Sequence, residues 1–272
     1  MTDGVLVIDK PAGMTSFDVI ARLRKQYGQK KFGHTGTLDP EATGVLVILA
    51  GKAAKALPYL TNTDKAYEAE IELGRFTDTE DIWGNTIEEK PVRRDFDFGA
   101  ELARFKGKQT QKIPLTSAKK YQGKKLIDYQ REGKEVPDFY KDVEIYDIVP
   151  LDEKELKFAV ECSGGTFVRT ICQDLAAHTG NAGCLKSLRR TAASGFTLED
   201  ADPLEGPHRI HTLKELLKDW PMIEADNPDD VFNGRQIELD SQEPMVCVTV
   251  DGEPAAMYEK RGDRYASKRG LF

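Results

Sequence analysis

Residues 33–44 of the chain read GHTGTLDPEATG, a polar stretch that is rich in glycine and threonine and contains Asp39. Aspartate before proline favours a turn, so Asp39 and Pro40 predict one here. The glycines allow close backbone approach, and Leu38 and Pro40 hold the carboxylate between an apolar and a rigid neighbour. A carboxylate fixed in this way is a candidate nucleophile or base, provided that a cation keeps it ionised. Arg169, in the first turn of a predicted helix, is the candidate cation.

The segments on either side of this stretch predict strands and helices that follow one another without a regular βαβ rhythm. Apolar or alternating runs predict strands at Val5–Ile8, Val45–Leu49, Tyr67–Leu73, Val143–Val149, Leu156–Cys162 and Met245–Val250. Helices are predicted between Thr15 and Gly28, and at Lys52–Leu60, Asp95–Lys106, Phe167–Thr179 and Leu213–Leu217, and residues 30–44 are predicted to form a loop. We therefore expect an α+β fold with a mixed, mainly antiparallel sheet and flanking helices.

Two finer predictions concern the ends of this pattern. Thr15 and Asp18 predict a capping box for the first helix, whose buried face is predicted to contain Phe17, Ile20, Leu23 and Tyr27. Residues 226–228, Asp-Asn-Pro, predict a linker before a small β-rich unit. We expect a large domain over residues 1–222 and a small one over residues 223–272.

Composition excludes several classes of protein. The chain has 272 residues, of which 39% are hydrophobic and 31% charged, as in ordinary globular proteins. Its longest apolar run, Val45–Ala50, is far shorter than the roughly 20 residues of a membrane span. No signal-peptide pattern follows Met1, so we expect a cytoplasmic protein that contacts no membrane. The four cysteines contain no CxxC pair, and no nucleotide fingerprint or familiar metal-ligand spacing occurs, so we expect reduced thiols, no cofactor and no metal.

The charge is unevenly distributed along the chain. The total is −7, but residues 197–243 hold 13 acidic and 4 basic side chains, so the remainder is close to +2. Residues 104–125 contain eight basic and no acidic side chains, and smaller basic clusters lie at residues 22–31 and 186–190. Each cluster alone is also typical of a solvated face. Because a polyanion responds to local charge within about 10 Å, the three together favour a partner with a phosphate backbone.

Residues 33–44 and several other segments closely resemble the TruB family of tRNA pseudouridine synthases. These other segments follow the family's order and are residues 9–16 (DKPAGMTS), 65–67 (KAY), 77–81 (TDTED), 120–126 (KYQGKKL), 162–170 (CSGGTFVRT) and 188–190 (LRR). The resemblance implies the pseudouridine synthase fold with a small PUA-like C-terminal domain. It also implies that a uridine in the T loop of tRNA, at position 55, is flipped out and isomerised to pseudouridine without cofactor or metal.

The functional residues of the family map onto this chain one by one. The resemblance assigns the catalytic aspartate to Asp39, the active-site tyrosine to Tyr67 and the arginine that pairs with the aspartate to Arg169. Tyr67 would stack on the extruded base or take the proton from C5, and His34 would fill the gap that the flipped base leaves. Leu188 would contact the uracil. Further substrate contacts are expected from Lys10, Thr37, Phe167, Arg189 and Arg190, and from Lys119, Lys120 and Lys124 in a basic RNA-binding segment at about residues 104–142.

The chain departs from the family pattern in three places. Phe167 stands where the family has tyrosine, so stacking is retained and a hydroxyl contact is lost. Residues 113–118, IPLTSA, replace the family's PPxYSA block, so an aromatic substrate contact is missing there. The region after Asp202 is short and acidic, which leaves the C-terminal unit few basic residues with which to contact RNA.

Three alternative functions are compatible with parts of the sequence. A guide-RNA-dependent pseudouridine synthase subunit would use the same chemistry. Those chains are longer and carry basic extensions, so we expect a stand-alone, monomeric enzyme that acts on the T arm of tRNA. A non-catalytic tRNA-binding or folding protein would not need Asp39, Tyr67 and Arg169 together. A glycosidase would need two carboxylates about 5–10 Å apart, and nothing selects Glu41 and Asp81 for that role.

Overall fold

The computed structural model describes residues 2–272. Its strands are β1 (Gly4–Lys10), β2 (Phe32–His34), β3 (Thr43–Ala50), β4 (Lys65–Leu73), β5 (Arg75–Thr77), β6 (Thr86–Glu89), β7 (Gly107–Lys112), β8 (Lys120–Tyr121), β9 (Lys124–Lys125), β10 (Tyr140–Asp152), β11 (Lys157–Cys162), β12 (Gly183–Ala193), β13 (Phe196–Thr197), β14 (Asp202–Pro203), β15 (Met222–Glu224), β16 (Met245–Val250), β17 (Glu253–Arg261) and β18 (Arg264–Gly270). Its α-helices are α1 (Ser16–Tyr27), α2 (Phe98–Ala103), α3 (Leu126–Arg131), α4 (Val168–His178), α5 (Leu213–Leu216) and α6 (Pro228–Phe232), and 3-10 helices span Gly51–Tyr59 and Leu198–Asp200.

These elements belong to two compact units, each assembled from separate stretches of the chain. Unit 1 runs to Pro40 and continues over Gly44–Thr63 and Ala193–Phe272. Unit 2 consists of Glu41–Thr43 and Asp64–Ala192.

In unit 1, the antiparallel pair of β1 and β3 forms the centre of the core. Their register places Gly4 opposite Ala50 and Lys10 opposite Gly44, β14 pairs with β1 in parallel and β2 pairs with β3. Alternate apolar residues of both strands pack with Phe196 and Leu216 in one buried cluster, as expected when one face of each strand is covered. This pair ends at Lys10, which places the β1–α1 loop beside the residues that precede β3.

The C-terminal strands of unit 1 form a sheet of their own, in the order β15-β16-β17-β18. Asp251 and Gly252 take positive φ angles in the turn between β16 and β17, where the sequence predicts a turn. Cys247 and Met257 on one face of this sheet pack with Ala56 and Leu217. The expected small β-rich unit is therefore present, and the proposed domain boundary between residues 222 and 223 stays a prediction.

In unit 2, the strands follow the order β12-β4-β11-β10-β7, and the pairs from β4 to β7 are all antiparallel. Tyr67, Ala69 and Ile71 are buried on one face of β4, as their alternation predicts. Glu70 on the other face is also buried, and the Lys186 ammonium lies 2.5 Å from its carboxylate. The predicted fold class, a mixed and mainly antiparallel sheet with flanking helices, is confirmed.

For the first helix, the predicted ends are confirmed and the predicted buried face is confirmed in part. Thr15 and Asp18 form the predicted capping box, and Gly28 ends α1 with φ 62°. The predicted buried face is wrong at Phe17, which is 63% exposed. Val19 is buried instead, because the buried face of α1 consists of Ser16, Val19, Ile20 and Leu23.

The linker predicted at residues 226–228 leads directly into α6, because the Asn227 side chain accepts a hydrogen bond from the Asp229 amide and so caps that helix. Two further predictions on the chain's elements are corrected. Of the helix predicted at Asp95–Lys106, only α2 is helical. The loop predicted over residues 30–44 contains strand β2. No helix within residues 2–272 is long and apolar enough to cross a membrane.

Candidate active site

The backbone on both sides of Asp39 is anchored to the β1–α1 loop of unit 1. The Lys10 ammonium donates hydrogen bonds to the carbonyl oxygens of Pro11 (2.8 Å), Met14 (2.6 Å) and Pro40 (2.8 Å). On the other side of Asp39, the Leu38 amide donates to the Ser16 hydroxyl at 2.9 Å.

Leu38 is 3% exposed and Lys10 is fully buried, so water competes little with these contacts. The β1–α1 loop therefore holds Asp39, which is itself half-buried, between two fixed backbone positions.

His34 lies at the end of β2, opposite Ile48 of β3. The chain leaves the strand through Thr35, whose amide donates to the Val47 carbonyl at 3.1 Å and whose hydroxyl accepts a hydrogen bond from Ser194 at 3.2 Å. His34 is half-buried, while Thr37 is exposed. Unit 1 thus holds Asp39, His34, Thr37 and Lys10 of the expected site, with Thr37 as the exposed member.

In unit 2, the N-terminal end of α4 carries Arg169. Phe167 precedes the first residue of this helix. The Gln111 side chain accepts a hydrogen bond from the Phe167 amide (2.8 Å) and donates one to the Phe167 carbonyl (3.0 Å). Arg169 is 5% exposed. Its guanidinium donates to the Thr79 carbonyl at 2.8 Å, to the Thr116 hydroxyl and to the Thr116 carbonyl at 3.1 Å. Its orientation is therefore set by two loops that are far away in the sequence.

Glu80 is a half-buried acid beside Arg169 that the sequence analysis did not select. The Thr170 hydroxyl donates to its carboxylate at 3.4 Å, and Glu80 takes φ 64°, an uncommon angle for a residue other than glycine. Burial raises the pKa of Glu80 to about 7, against the opposing effect of the Arg169 charge. Its position in the TDTED segment beside Asp81 gave no signal, because only the fold places it next to α4.

Tyr67 is 7% exposed on β4 and lies opposite Val160 of β11. Lys65, two residues earlier on the same face of the strand, lies opposite Cys162. Burial, reinforced by the positive charge of Arg190, lowers the pKa of Lys65 to about 8. Tyr67 therefore has as its neighbour on the strand a lysine that loses its proton more easily than usual. The spacing of two residues between Lys65 and Tyr67 is the sequence signal that could have identified it.

The three predicted residues of β12 differ in exposure. Leu188 and Arg189 are half-buried, and the Arg189 guanidinium donates to the Thr43 hydroxyl at 3.3 Å. Arg190 is fully buried. Lys10 is also fully buried. We therefore do not retain Arg190 and Lys10 as direct contacts to an RNA phosphate.

In the basic segment, two lysine side chains lie against aromatic rings. Strands β8 and β9 form a hairpin that leads into α3, and the Tyr121 ring lies 5.2 Å from that of Phe139, centroid to centroid. The Lys119 ammonium is 5.1 Å from the centre of the Phe139 ring, and the Lys124 ammonium is 4.8 Å from that of Tyr129, distances typical of cation–π contacts. Lys119, Lys120 and Lys125 are exposed.

No group of three or more His, Cys, Asp or Glu within residues 2–272 is arranged to hold a metal ion. The expected independence from metals and cofactors stays a prediction.

A known family matches slightly more than half of the sequence. The family model described as "TruB family pseudouridylate synthase (N terminal domain)" matches residues 24–168. The chain belongs to the TruB family. Its members are pseudouridine synthases, which are isomerases, so the predicted enzyme class is confirmed.

TruB-family relatives match the chain from end to end. The tRNA pseudouridine synthase B of Streptococcus thermophilus strain CNRZ 1066 is 37% identical over 100% of this chain and 99% of its own. That of Bacillus velezensis is 42% identical over 100% of this chain and 96% of its own.

Two solved structures share the fold. A chain of the structure titled "Crystal Structure of a Cbf5-Nop10-Gar1 Complex" superposes with a TM-score of 0.72 at 20% identity, covering 99% of this chain and 85% of that chain. A chain of "Structure of H/ACA RNP bound to a substrate RNA containing 2'-deoxyuridine" gives 0.72 at 18% identity with the same coverage. The pseudouridine synthase fold implied by the sequence is therefore confirmed for the TruB-family chain.

Replacing Lys10 with methionine keeps most of the side-chain volume and removes the ammonium. Three carbonyl groups then lose a charged donor that is itself fully buried, so we expect the free energy of unfolding to fall by about 3 kcal/mol. Urea denaturation of Lys10→Met measures this loss. Lys52→Met, at an exposed lysine, is the matched control and should change stability by less than about 0.5 kcal/mol. Equal losses in both variants would contradict the anchoring role of Lys10.

Glu80→Gln should change how stability depends on pH. The pKa of Glu80 is about 7 in the folded chain and close to its ordinary 4.5 in the unfolded chain. Between these values the folded protein holds a proton that the unfolded chain has released, so the free energy of unfolding of the wild type falls as pH rises. We expect that fall to approach about 1.4 kcal/mol for each pH unit in this interval and to be absent in Glu80→Gln.

Chemical denaturation from pH 4.5 to 8 tests this expectation, with Glu135→Gln, at an exposed glutamate, as the control. Parallel pH profiles for wild type and Glu80→Gln would show that Glu80 titrates as an ordinary carboxyl group.

Proposed function

We propose that the chain isomerises a uridine in the T loop of tRNA, at position 55, to pseudouridine. The observation that carries this proposal is the anchoring of Asp39 through both of its neighbours, Leu38 by Ser16 and Pro40 by Lys10. A group that acts at one atom of a flipped nucleotide gains rate from being held in place before the substrate arrives. The end-to-end relatives named tRNA pseudouridine synthase B support the substrate.

The proposed reaction rearranges one nucleotide and consumes no other reactant. The bond between N1 of uracil and C1′ of ribose breaks, the detached ring turns, and a bond forms between C5 and C1′. C5 then gives up its proton and N1 gains one, so the product contains the atoms of the substrate. In this scheme Asp39 attacks C1′ or C6, or stabilises an oxocarbenium-like ribose. Because uracil is both leaving group and nucleophile, neither a metal nor a cofactor is needed.

Four other residues act on the same uridine in this proposal. Arg169 is the cation that pairs with the Asp39 carboxylate, as the resemblance to the family implies. Tyr67 presents its ring to the extruded base and its hydroxyl to the C5 proton, and Leu188 contacts the uracil. His34 occupies the space that the base leaves, which offsets part of the few kcal/mol that base flipping costs.

The basic segment binds the T arm in this proposal. Lys119, Lys120 and Lys124 neutralise phosphates, which supplies affinity without sequence information. The Phe139 ring under Lys119 and the Tyr129 ring under Lys124 hold these two ammonium groups in position before RNA binds. Of the other expected contacts, we retain Thr37, Phe167 and Arg189, and we propose a monomeric enzyme that meets tRNA in the cytoplasm.

Asp39→Asn should abolish turnover and leave tRNA affinity within a few-fold of the wild type. Asparagine keeps the size of the side chain and loses the negative charge on which every version of the mechanism depends. The measurement is tritium release from C5-labelled uridine in unmodified tRNA or its T-arm hairpin, with EDTA and no added cofactor. Glu41→Gln, at an exposed carboxyl two residues away, is the matched control and should release tritium like the wild type.

Turnover by Asp39→Asn would reject the assignment of this residue. Tight binding of tRNA without release by the wild type would favour a guide-dependent enzyme or a non-catalytic RNA-binding protein instead.

Reversing the charge of the four hairpin lysines should weaken tRNA binding and flatten its dependence on salt. Each phosphate contact that is lost lowers the slope of log K against log salt by about 0.7–0.9. The variant replaces Lys119, Lys120, Lys124 and Lys125 with glutamate. Its control replaces four exposed lysines outside the segment, Lys52, Lys154, Lys214 and Lys218, and so has the same net charge. Equal slopes in the two variants would show that the segment is not the RNA-binding face.

A further inference from the structure

Thr116 lies in a block of unit 2 where this chain departs from the family pattern. The IPLTSA block of residues 113–118 has threonine where that pattern has tyrosine. Instead of an aromatic ring, it presents a short hydroxyl side chain and its own carbonyl group to the guanidinium.

The contacts around Arg169 form a closed arrangement with Thr116 and Thr79. Nη1 of Arg169 donates to the Thr79 carbonyl at 2.8 Å and to the Thr116 hydroxyl. That hydroxyl donates in turn to the same Thr79 carbonyl at 3.3 Å. Nη2 donates to the Thr116 carbonyl at 3.1 Å. These bonds involve three of the five N–H groups of the guanidinium, so they fix its plane and the direction of the other two.

A hydroxyl on a short side chain suits this position because it accepts from Arg169 and donates to Thr79 at once. Valine has the same shape and can do neither. A tyrosine hydroxyl lies much farther from its own backbone, so it cannot close the same arrangement while its carbonyl holds Nη2. The contact therefore requires a short side chain with a hydroxyl group at this position.

The loop that supplies the Thr79 carbonyl is itself rigid. The Thr79 hydroxyl donates to the Asp81 carboxylate at 2.6 Å, and the Asp78 carbonyl accepts from the Gln130 side chain of α3 at 3.0 Å. The Thr79 carbonyl is therefore a fixed acceptor for the guanidinium. The Thr116 hydroxyl is the side-chain contact in the arrangement, so it is the one that a substitution can remove.

We propose that Thr116 is a positioning residue for the reaction, acting through Arg169. The proposal rests on the proposed function, in which Arg169 supports the catalytic carboxylate. Loss of the hydroxyl removes one of the two contacts to Nη1, so the plane of the guanidinium is less firmly fixed. The effect falls on the chemical step rather than on RNA binding, because Thr116 contacts the arginine and the basic hairpin is untouched.

The test compares Thr116→Val, Thr116→Ser and wild type under single-turnover conditions, with enzyme in excess over C5-tritiated T-arm RNA. For Thr116→Val we expect a rate constant at least about tenfold lower, with the RNA dissociation constant and the melting temperature close to wild type. Serine restores the hydroxyl, so Thr116→Ser should return to within about threefold of the wild-type rate. The matched control is Thr110→Val on β7, which removes a hydroxyl that donates to the Asp142 carboxylate of β10.

Three results would overturn the proposal while the proposed function stands. The first is a wild-type rate for Thr116→Val, and the second is a Thr116→Ser rate as low as that of Thr116→Val. The third is a loss in Thr116→Val that disappears when rates are corrected for the folded fraction, since that marks a purely structural role. An inactive wild type would instead overturn the proposed function, and the role of Thr116 with it.

Discussion

The buried ammonium of Lys10 is the constraint on which the Asp39 turn depends. A lysine charge is costly to bury unless several acceptors replace its water shell, and here three carbonyl groups do so, including that of Pro40. The requirement works in both directions. The carbonyls hold the ammonium, and the ammonium holds together a strand end, a loop and a turn that are 30 residues apart in sequence. Ser16 completes the anchoring at Leu38, and so the residue between them is restricted from both sides.

Unit 2 uses the same device with a different cation. Arg169 is buried at the start of a helix, and backbone carbonyls and one hydroxyl orient it. Carbonyl groups on rigid loops are well suited to this role, because they accept strongly and their positions are set by the backbone rather than by side-chain rotamers. In both units, residues of the proposed site are thus held through main-chain atoms of distant segments, so substitutions of the anchoring side chains test the arrangement directly.

This arrangement explains what the sequence could and could not predict. Alternation located β4, and the capping box located α1, because both signals are local. Asp39, Tyr67 and Arg169 were found through motifs that resemble a family. Thr116 and Thr79 were missed, since they are 53 and 90 residues from Arg169 and only the fold brings them together. The error at Phe17 has a similar origin, because the spacing of apolar residues does not reveal that a polar residue, Ser16, lies on the buried face of α1 and bonds to Leu38.

Formal charge also says less about RNA binding than the structure does. Of the eight basic residues between positions 104 and 125, four are in ion pairs with nearby carboxylates, namely Arg104, Lys106, Lys112 and Lys124. Exposed pairs of this kind contribute about 0–1 kcal/mol, so a phosphate can displace the carboxylate at little cost. The number of phosphates that the segment neutralises then depends on how many of these pairs exchange partners. The pair of Lys124 with Glu132 is the one most directly in competition, because it lies on the hairpin itself, beside Lys119, Lys120 and Lys125.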